Sequence, residues 1–156
     1  MKIKNILKEI FLIQKISNNF QIKNEIKLIL KNLNLPSDIE FLNSYPSQLS
    51  GGQLQRISIA RSLLLKPKIL ICDESVNMLD AYVKIEILDL LRKIQETMDL
   101  TIIFITHDLG IAKNFCNRLL VMNYGKIIEE GDSSTIFSTP TNNITKALVE
   151  SSLNLN

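Results

Sequence analysis

The sequence predicts an α/β protein in which a helical first third is followed by a parallel sheet with flanking helices. Two observations carry this expectation. Apolar residues recur at helical spacing up to Leu65; from Pro67 the rhythm changes to short apolar runs, Ile69 to Cys72 and Thr101 to Ile105, separated by longer helical patterns. Such alternation predicts strands buried on both faces beneath covering helices.

In order along the chain, Lys4 to Gln14 reads as an amphipathic helix. Gln21 to Leu33 reads as a second, with Ile22, Ile26, Ile29, Leu30 and Leu33 on one face. Pro36-Ser37-Asp38 breaks and re-caps the chain, and Tyr45-Pro46-Ser47 turns it again. A helix follows over Gln53 to Leu65, with Leu54, Ile57, Ala60 and Leu64 on one side. The first predicted strand leads to a helix over Ala81 to Thr97, the second to a helix over Leu109 to Phe115. Arg118 to Met122 and Lys126 to Glu130 flank Asn123-Tyr124-Gly125, the pattern of a hairpin at the sheet edge. Short helices near Ser133 to Phe137 and Ile144 to Ser151 finish the chain.

Composition excludes several classes. The 156 residues are 46% hydrophobic and 22% charged, with a net charge of +2 and no dense run of Lys and Arg, so neither nucleic acid nor an anionic membrane is indicated as a partner. The apolar runs are too short to span a bilayer, and the N-terminus lacks a signal-peptide core, which leads to a cytoplasmic expectation. Cys72 and Cys116 have no Cys or His at metal-ligand spacing, so reduced buried thiols are expected.

The chemistry sits where the predicted strands end. Ile69-Leu70-Ile71-Cys72-Asp73-Glu74 places two acids at the carboxyl end of a strand, where open α/β sheets bind ligands. Alternation along an extended segment points the two in different directions. One can hold a magnesium ion while the other orients or deprotonates a water, although two acids there can also simply cap the next helix. In Phe104-Ile105-Thr106-His107-Asp108 the single histidine stands at the end of the second strand, placed either to bond a phosphate or water or to belong to a helix cap. Two strands ending this way at one sheet edge are expected to converge. Ser50-Gly51-Gly52-Gln53 opens a helix whose N–H groups could approach an anion, with a plain glycine turn as the alternative.

Taken together these motifs resemble the ATP-binding cassette (ABC) ATPases. Leu49-Ser50-Gly51-Gly52-Gln53-Leu54-Gln55-Arg56 is similar to the ABC signature, Asp73-Glu74 to the end of the Walker B strand, Ser75 to Asp80 to the D-loop, and Thr106-His107 to the switch histidine. The resemblance implies a partial P-loop NTPase (ABC ATPase) fold. Its divisions would be a helical signature subdomain over 1–66, a RecA-like catalytic half over 67–131 and a helical tail over 132–156. It further implies Glu74 and His107 as catalytic residues, Asp73 as the Mg2+ ligand, and Ser50, Gly51, Gly52, Gln53 and Asp80 as ATP-binding residues. The implied partners are transmembrane permease subunits and a second ATP-binding subunit, at the inner face of the cell membrane.

Within the superfamily, Tyr45-Pro46, Phe104 to Leu109, Phe115-Cys116-Asn117-Arg118 and the tail from Gly131-Asp132 through Thr145-Lys146-Ala147-Leu148 resemble the peptide and nickel importers, the nickel members especially. Met78 stands where the family has a small residue, and Asn142-Asn143-Ile144 where the subgroup commonly has His-Pro-Tyr. ABC proteins of chromosome maintenance or repair share the signature, but no heptad run or basic stripe is present.

The pattern G-x-x-x-x-G-K-[ST] of a phosphate-binding loop does not occur: none of Gly51, Gly52, Gly110, Gly125 and Gly131 begins it. The expectation is a chain that starts after the P-loop, incompetent for hydrolysis alone. It would be either one part of an importer subunit or a non-catalytic module that pairs with an intact ATPase. Without a neighbouring P-loop strand, the Ile69 to Cys72 strand is expected to expose apolar surface and to make the chain poorly soluble.

Overall fold

The computed structural model describes residues 1–153. Two compact units emerge, Met1–Ile103 and Phe104–Asn156, and no helix among the described residues is long and apolar enough to cross a membrane.

The first unit opens with α1 (Ile3–Ile13), α2 (Asn19–Asn32) and α3 (Ile39–Asn43). Asn18 and Asp38 cap α2 and α3 by accepting from main-chain N–H groups at the start of each helix, the local chemistry that the turn residues announce. A single turn of 3-10 helix over Pro46–Gln48 leads into α4 (Gly51–Leu63). The buried stripe of α1, Ile3, Leu7, Ile10 and Phe11, packs on α2, α3 and α4, and the predicted face of α2 is indeed its buried face. β1 (Ile69–Asp73) is followed by α5 (Ala81–Met98) and by β2 (Thr101–Ile105), which lies beside β1 in a two-stranded sheet.

One expectation fails here, while the apolar surface expected on the Ile69 to Cys72 strand is present. The strands are not buried on both faces: in β1, Leu70 and Cys72 are inside, while Ile69 and Ile71 are 55% and 63% exposed. The inward pair packs into the core, whereas no element among the described residues covers the outward pair. An apolar run in sequence reports affinity for burial, not the presence of something to be buried against.

The second unit contains α6 (Leu109–Phe115), β3 (Arg118–Asn123), β4 (Lys126–Asp132), α7 (Ser133–Ser138) and α8 (Asn143–Leu153). β3 and β4 form the expected antiparallel hairpin, turned by Tyr124 and Gly125 at φ 45° and 73°. Positive φ at both central residues matches the right-handed twist of a two-residue hairpin. The hairpin makes a sheet of its own rather than an edge of the β1–β2 sheet. Ser133 ties α7 to α6, its N–H donating to Asn117 O (2.9 Å) and its buried hydroxyl to Lys113 O (3.3 Å). Phe104 and Phe115 meet edge-to-face at 5.3 Å.

Candidate functional site

The start of α4 is built by its own first residues. Ser50 Oγ accepts from Gln53 N–H (3.3 Å), and Gln53 Oε1 accepts from Ser50 N–H (3.0 Å), a reciprocal capping box. Leu54 N–H bonds back to Ser50 O. The N–H groups of Gly51 and Gly52 are then the ones left outside the helical ladder, at the positive end of the helix. Both side chains of the predicted phosphate-binding set thus serve the helix as caps, and the two glycines present bare backbone.

Those glycines lie against the segment after β1. A Cβ on Gly51 would meet Leu79 Cδ2 at 3.4 Å, and one on Gly52 would meet Val83 Cγ1 at 2.8 Å, closer than real contacts allow. Glycine at Gly52 is therefore required by close packing as well as useful for anion approach. Asp80 caps α5, its carboxylate accepting from Val83 N–H (3.1 Å). The predicted signature residues and Asp80 are in this way brought together through Leu79 and Val83, which sequence reading did not single out. Met78 beside them is fully exposed.

Asp73 closes β1 and Glu74 follows it, both exposed. Glu74 adopts φ 46°, in the left-handed region. Five other non-glycine residues do so among the described residues: Lys15, Asn34, Lys66 and Asp99 just past helix ends, and Tyr124 in the hairpin turn. Left-handed residues are routine at those places. Glu74 has neither excuse, since it leaves a strand, and a bulky residue held there stores on the order of 1–3 kcal/mol of strain. Its carbonyl accepts from Asn77 N–H (3.2 Å), opening the turns that lead to Asp80.

In the second unit His107 is exposed between β2 and α6. Its neighbours are fixed: Thr106 Oγ1 accepts from Asp108 N–H (2.9 Å), and Asp108 caps α6 by accepting from Ile111 N–H (3.1 Å). His107 thus stands between a hydroxyl turn and a helix cap, while the cap itself is the aspartate.

Sequence reading also missed the ion pair of Arg56 and Glu86 (2.6 Å), which joins α4 to α5. With Asn34, Asp89, Leu90 and Lys93 these two residues line a cavity of ≈ 410 Å³ that contains none of the predicted site residues. Cys72 and Cys116 are free thiols, and burial pushes both above the ordinary thiol value.

The residues fit a magnesium nucleotide in kind. Asp73 offers hard carboxylate oxygens, and magnesium uses one or two carboxylates rather than a cage. No cluster of three His, Cys, Asp or Glu exists among the described residues. The unladdered N–H groups of Gly51 and Gly52 suit phosphate oxygens.

The chain is similar to known ATP-binding proteins. The family model described as ABC transporter matches residues 2–77, a span that includes Ser50 to Gln53, Asp73 and Glu74. The chain is 46% identical over 127 residues to a methionine import ATP-binding protein of Oceanobacillus iheyensis, covering 81% of this chain and 38% of that one. It is 49% identical over 107 residues to the protein of the same description from Bacillus subtilis, covering 69% and 31%. The chain thus spans well under half the length of these relatives. Both are named for methionine import, so the expectation of a nickel or peptide importer finds no support in them. Among solved structures, one titled as a metal-chelate type ABC transporter in an inward-facing conformation superposes with a TM-score of 0.77 at 23% identity, over 87% of this chain and 54% of that one. The fold of the chain is that of an ABC ATPase.

Proposed function

We propose that this chain supplies the signature and catalytic-carboxylate portion of the ATP-binding subunit of an ABC importer, with methionine as the first candidate cargo. The cargo rests on the names of the two relatives, which are 46% and 49% identical over the matched spans. The observation that supports the ATPase reading best is the left-handed Glu74 directly after Asp73 at the end of β1, because stored backbone strain at an exposed carboxylate suits a working group better than a cap.

In this reading Asp73 holds Mg2+, and Glu74 orients and deprotonates the attacking water. His107 bonds the terminal phosphate. The N–H groups of Gly51 and Gly52, with Ser50 and Gln53 shaping the helix start, grip phosphate oxygens, and Asp80 sits at the edge of the same nucleotide site. The bound metal neutralises charge on the phosphates. Residues 1–66 act as the signature segment, 67–131 as the catalytic half and 132–156 as a tail, of which 154–156 lie outside the described residues. The partners are permease subunits and a second ATP-binding subunit, at the cytoplasmic face of the cell membrane.

A non-catalytic module that lends its signature to an intact ATPase is the second reading. It is favoured by the Ser50–Gln53 capping box, which pre-forms the helix start without help from elsewhere. The deciding experiment fuses this chain behind the residues that precede the matched region in the Bacillus subtilis relative and measures methionine uptake and ATP turnover with that relative's transporter. The first reading expects both activities, with turnover reduced about 10²–10⁴-fold in Glu74→Gln. Turnover unaffected by Glu74→Gln favours the second reading, and turnover without methionine uptake removes the cargo assignment.

A further inference from the structure

The carboxylate of Glu129, on β4, reaches across the chain to the turn that starts α8. Its Oε1 accepts from Thr141 N–H at 2.7 Å and from Thr141 Oγ1 at 2.8 Å, and its Oε2 accepts from Asn142 N–H at 3.1 Å. Asn142 in turn caps α8 through its own side chain, accepting from Ile144 N–H at 2.9 Å. Three donors on one carboxylate are charge-assisted bonds, and two of them come from main chain that otherwise has no ladder partner. α8 buries Thr145 and Val149 and rests on α6.

We infer that Glu129 is a latch: a single side chain that closes the start of α8 onto the β3–β4 hairpin and so sets the position of the C-terminal helix. The turn over 139–142 contributes little apolar burial of its own. Thr139 and Thr141 are exposed, with Pro140 and Asn142 half-buried, so the latch holds this turn, while Thr145 and Val149 pack the helix that follows it. The Thr141 N–H foremost, with the Thr141 hydroxyl and Asn142 N–H assisting, holds the Glu129 carboxyl at about 2. The Thr145 hydroxyl, buried in the first turn of α8, acts in the same direction. A carboxylate so disposed stays ionised, and the latch stays closed, throughout the neutral range. Opening it requires loss of the side chain or of its donors, which frees α8 at its start while the hairpin persists.

Amide hydrogen exchange on the 156-residue chain tests this. In the wild type, the Thr141 and Asn142 amides are expected to exchange at least about ten-fold more slowly than freely exposed loop amides. Glu129→Ala is expected to remove that protection while the β3 and β4 amides keep theirs. The isosteric Glu129→Gln, which retains an acceptor oxygen but not the charge, is expected to fall between. Unprotected Thr141 and Asn142 amides in the wild type overturn the latch, as does full protection in Glu129→Ala. Should Glu129→Ala loosen the whole hairpin, Glu129→Gln decides: full protection there overturns the proposal and partial protection upholds it.

Discussion

At the scale of single residues, the sharpest demand falls on Gly52. An added methyl there would gain about 0.5–1 kcal/mol from the better helix propensity of alanine. The contact at 2.8 Å to Val83 Cγ1 opposes that gain, because a valine in a helix has one strongly preferred rotamer and cannot turn away. Overpacking costs typically 1–3 kcal/mol, so the clash wins, and Gly52→Ala should lower stability by about 1 kcal/mol in urea unfolding. Because the cost arises at one contact, Val83→Ala should relieve part of it. A double-mutant cycle should show a coupling of about 0.5–2 kcal/mol, and additive losses would mean that the glycine is not held by Val83. Glu74 makes the opposite kind of demand. It was legible as a candidate from its place after an apolar run, whereas its left-handed backbone was not, since local sequence gives a glutamate no reason to adopt it.

At the scale of elements, almost every helix and strand was legible, and the reasons are local. Apolar spacing marked α1, α2, α5 and α6; Asn18, Asp38, Ser50, Asp80 and Asp108 supply the caps; and Tyr124-Gly125 supplies the hairpin turn. The packing of the α4 start on Leu79 and Val83, and the Arg56–Glu86 pair, were not legible, because each joins residues far apart in sequence with no spacing rule between them. Burial of the strands on both faces, expected from the alternation, does not occur, whereas the exposed apolar surface expected of the Ile69 to Cys72 strand does. Ile69, Ile71 and Ile103 are 55%, 63% and 46% exposed, an apolar face of the kind that promotes association. The chain is therefore expected to self-associate at micromolar concentration. Ile69→Thr with Ile71→Thr, which keeps β-branched residues in the strand, should raise the monomer fraction in light scattering without changing helical content. A wild-type chain that remains monomeric at roughly 100 μM would show that this face tolerates water.

At the scale of the whole molecule, fold and catalytic competence separate. The fold is that of an ABC ATPase, yet these 156 residues contain no G-x-x-x-x-G-K-[ST] segment, whose backbone N–H groups and lysine cradle the phosphates in P-loop enzymes. The polar groups that remain can do part of the work: Asp73 and Glu74 can serve metal and water, and the α4 start can serve phosphate oxygens. None of them replaces a lysine and a ring of N–H groups closed around the β- and γ-phosphates, and positioning supplies most of the rate in phosphoryl transfer. The chain by itself is accordingly expected to show no magnesium-dependent ATP turnover above background, and Glu74→Gln should leave that background unchanged. Turnover that requires magnesium and disappears in Glu74→Gln would falsify this and would mean that Ser50 to Gln53 and the β1 end bind ATP productively without a P-loop.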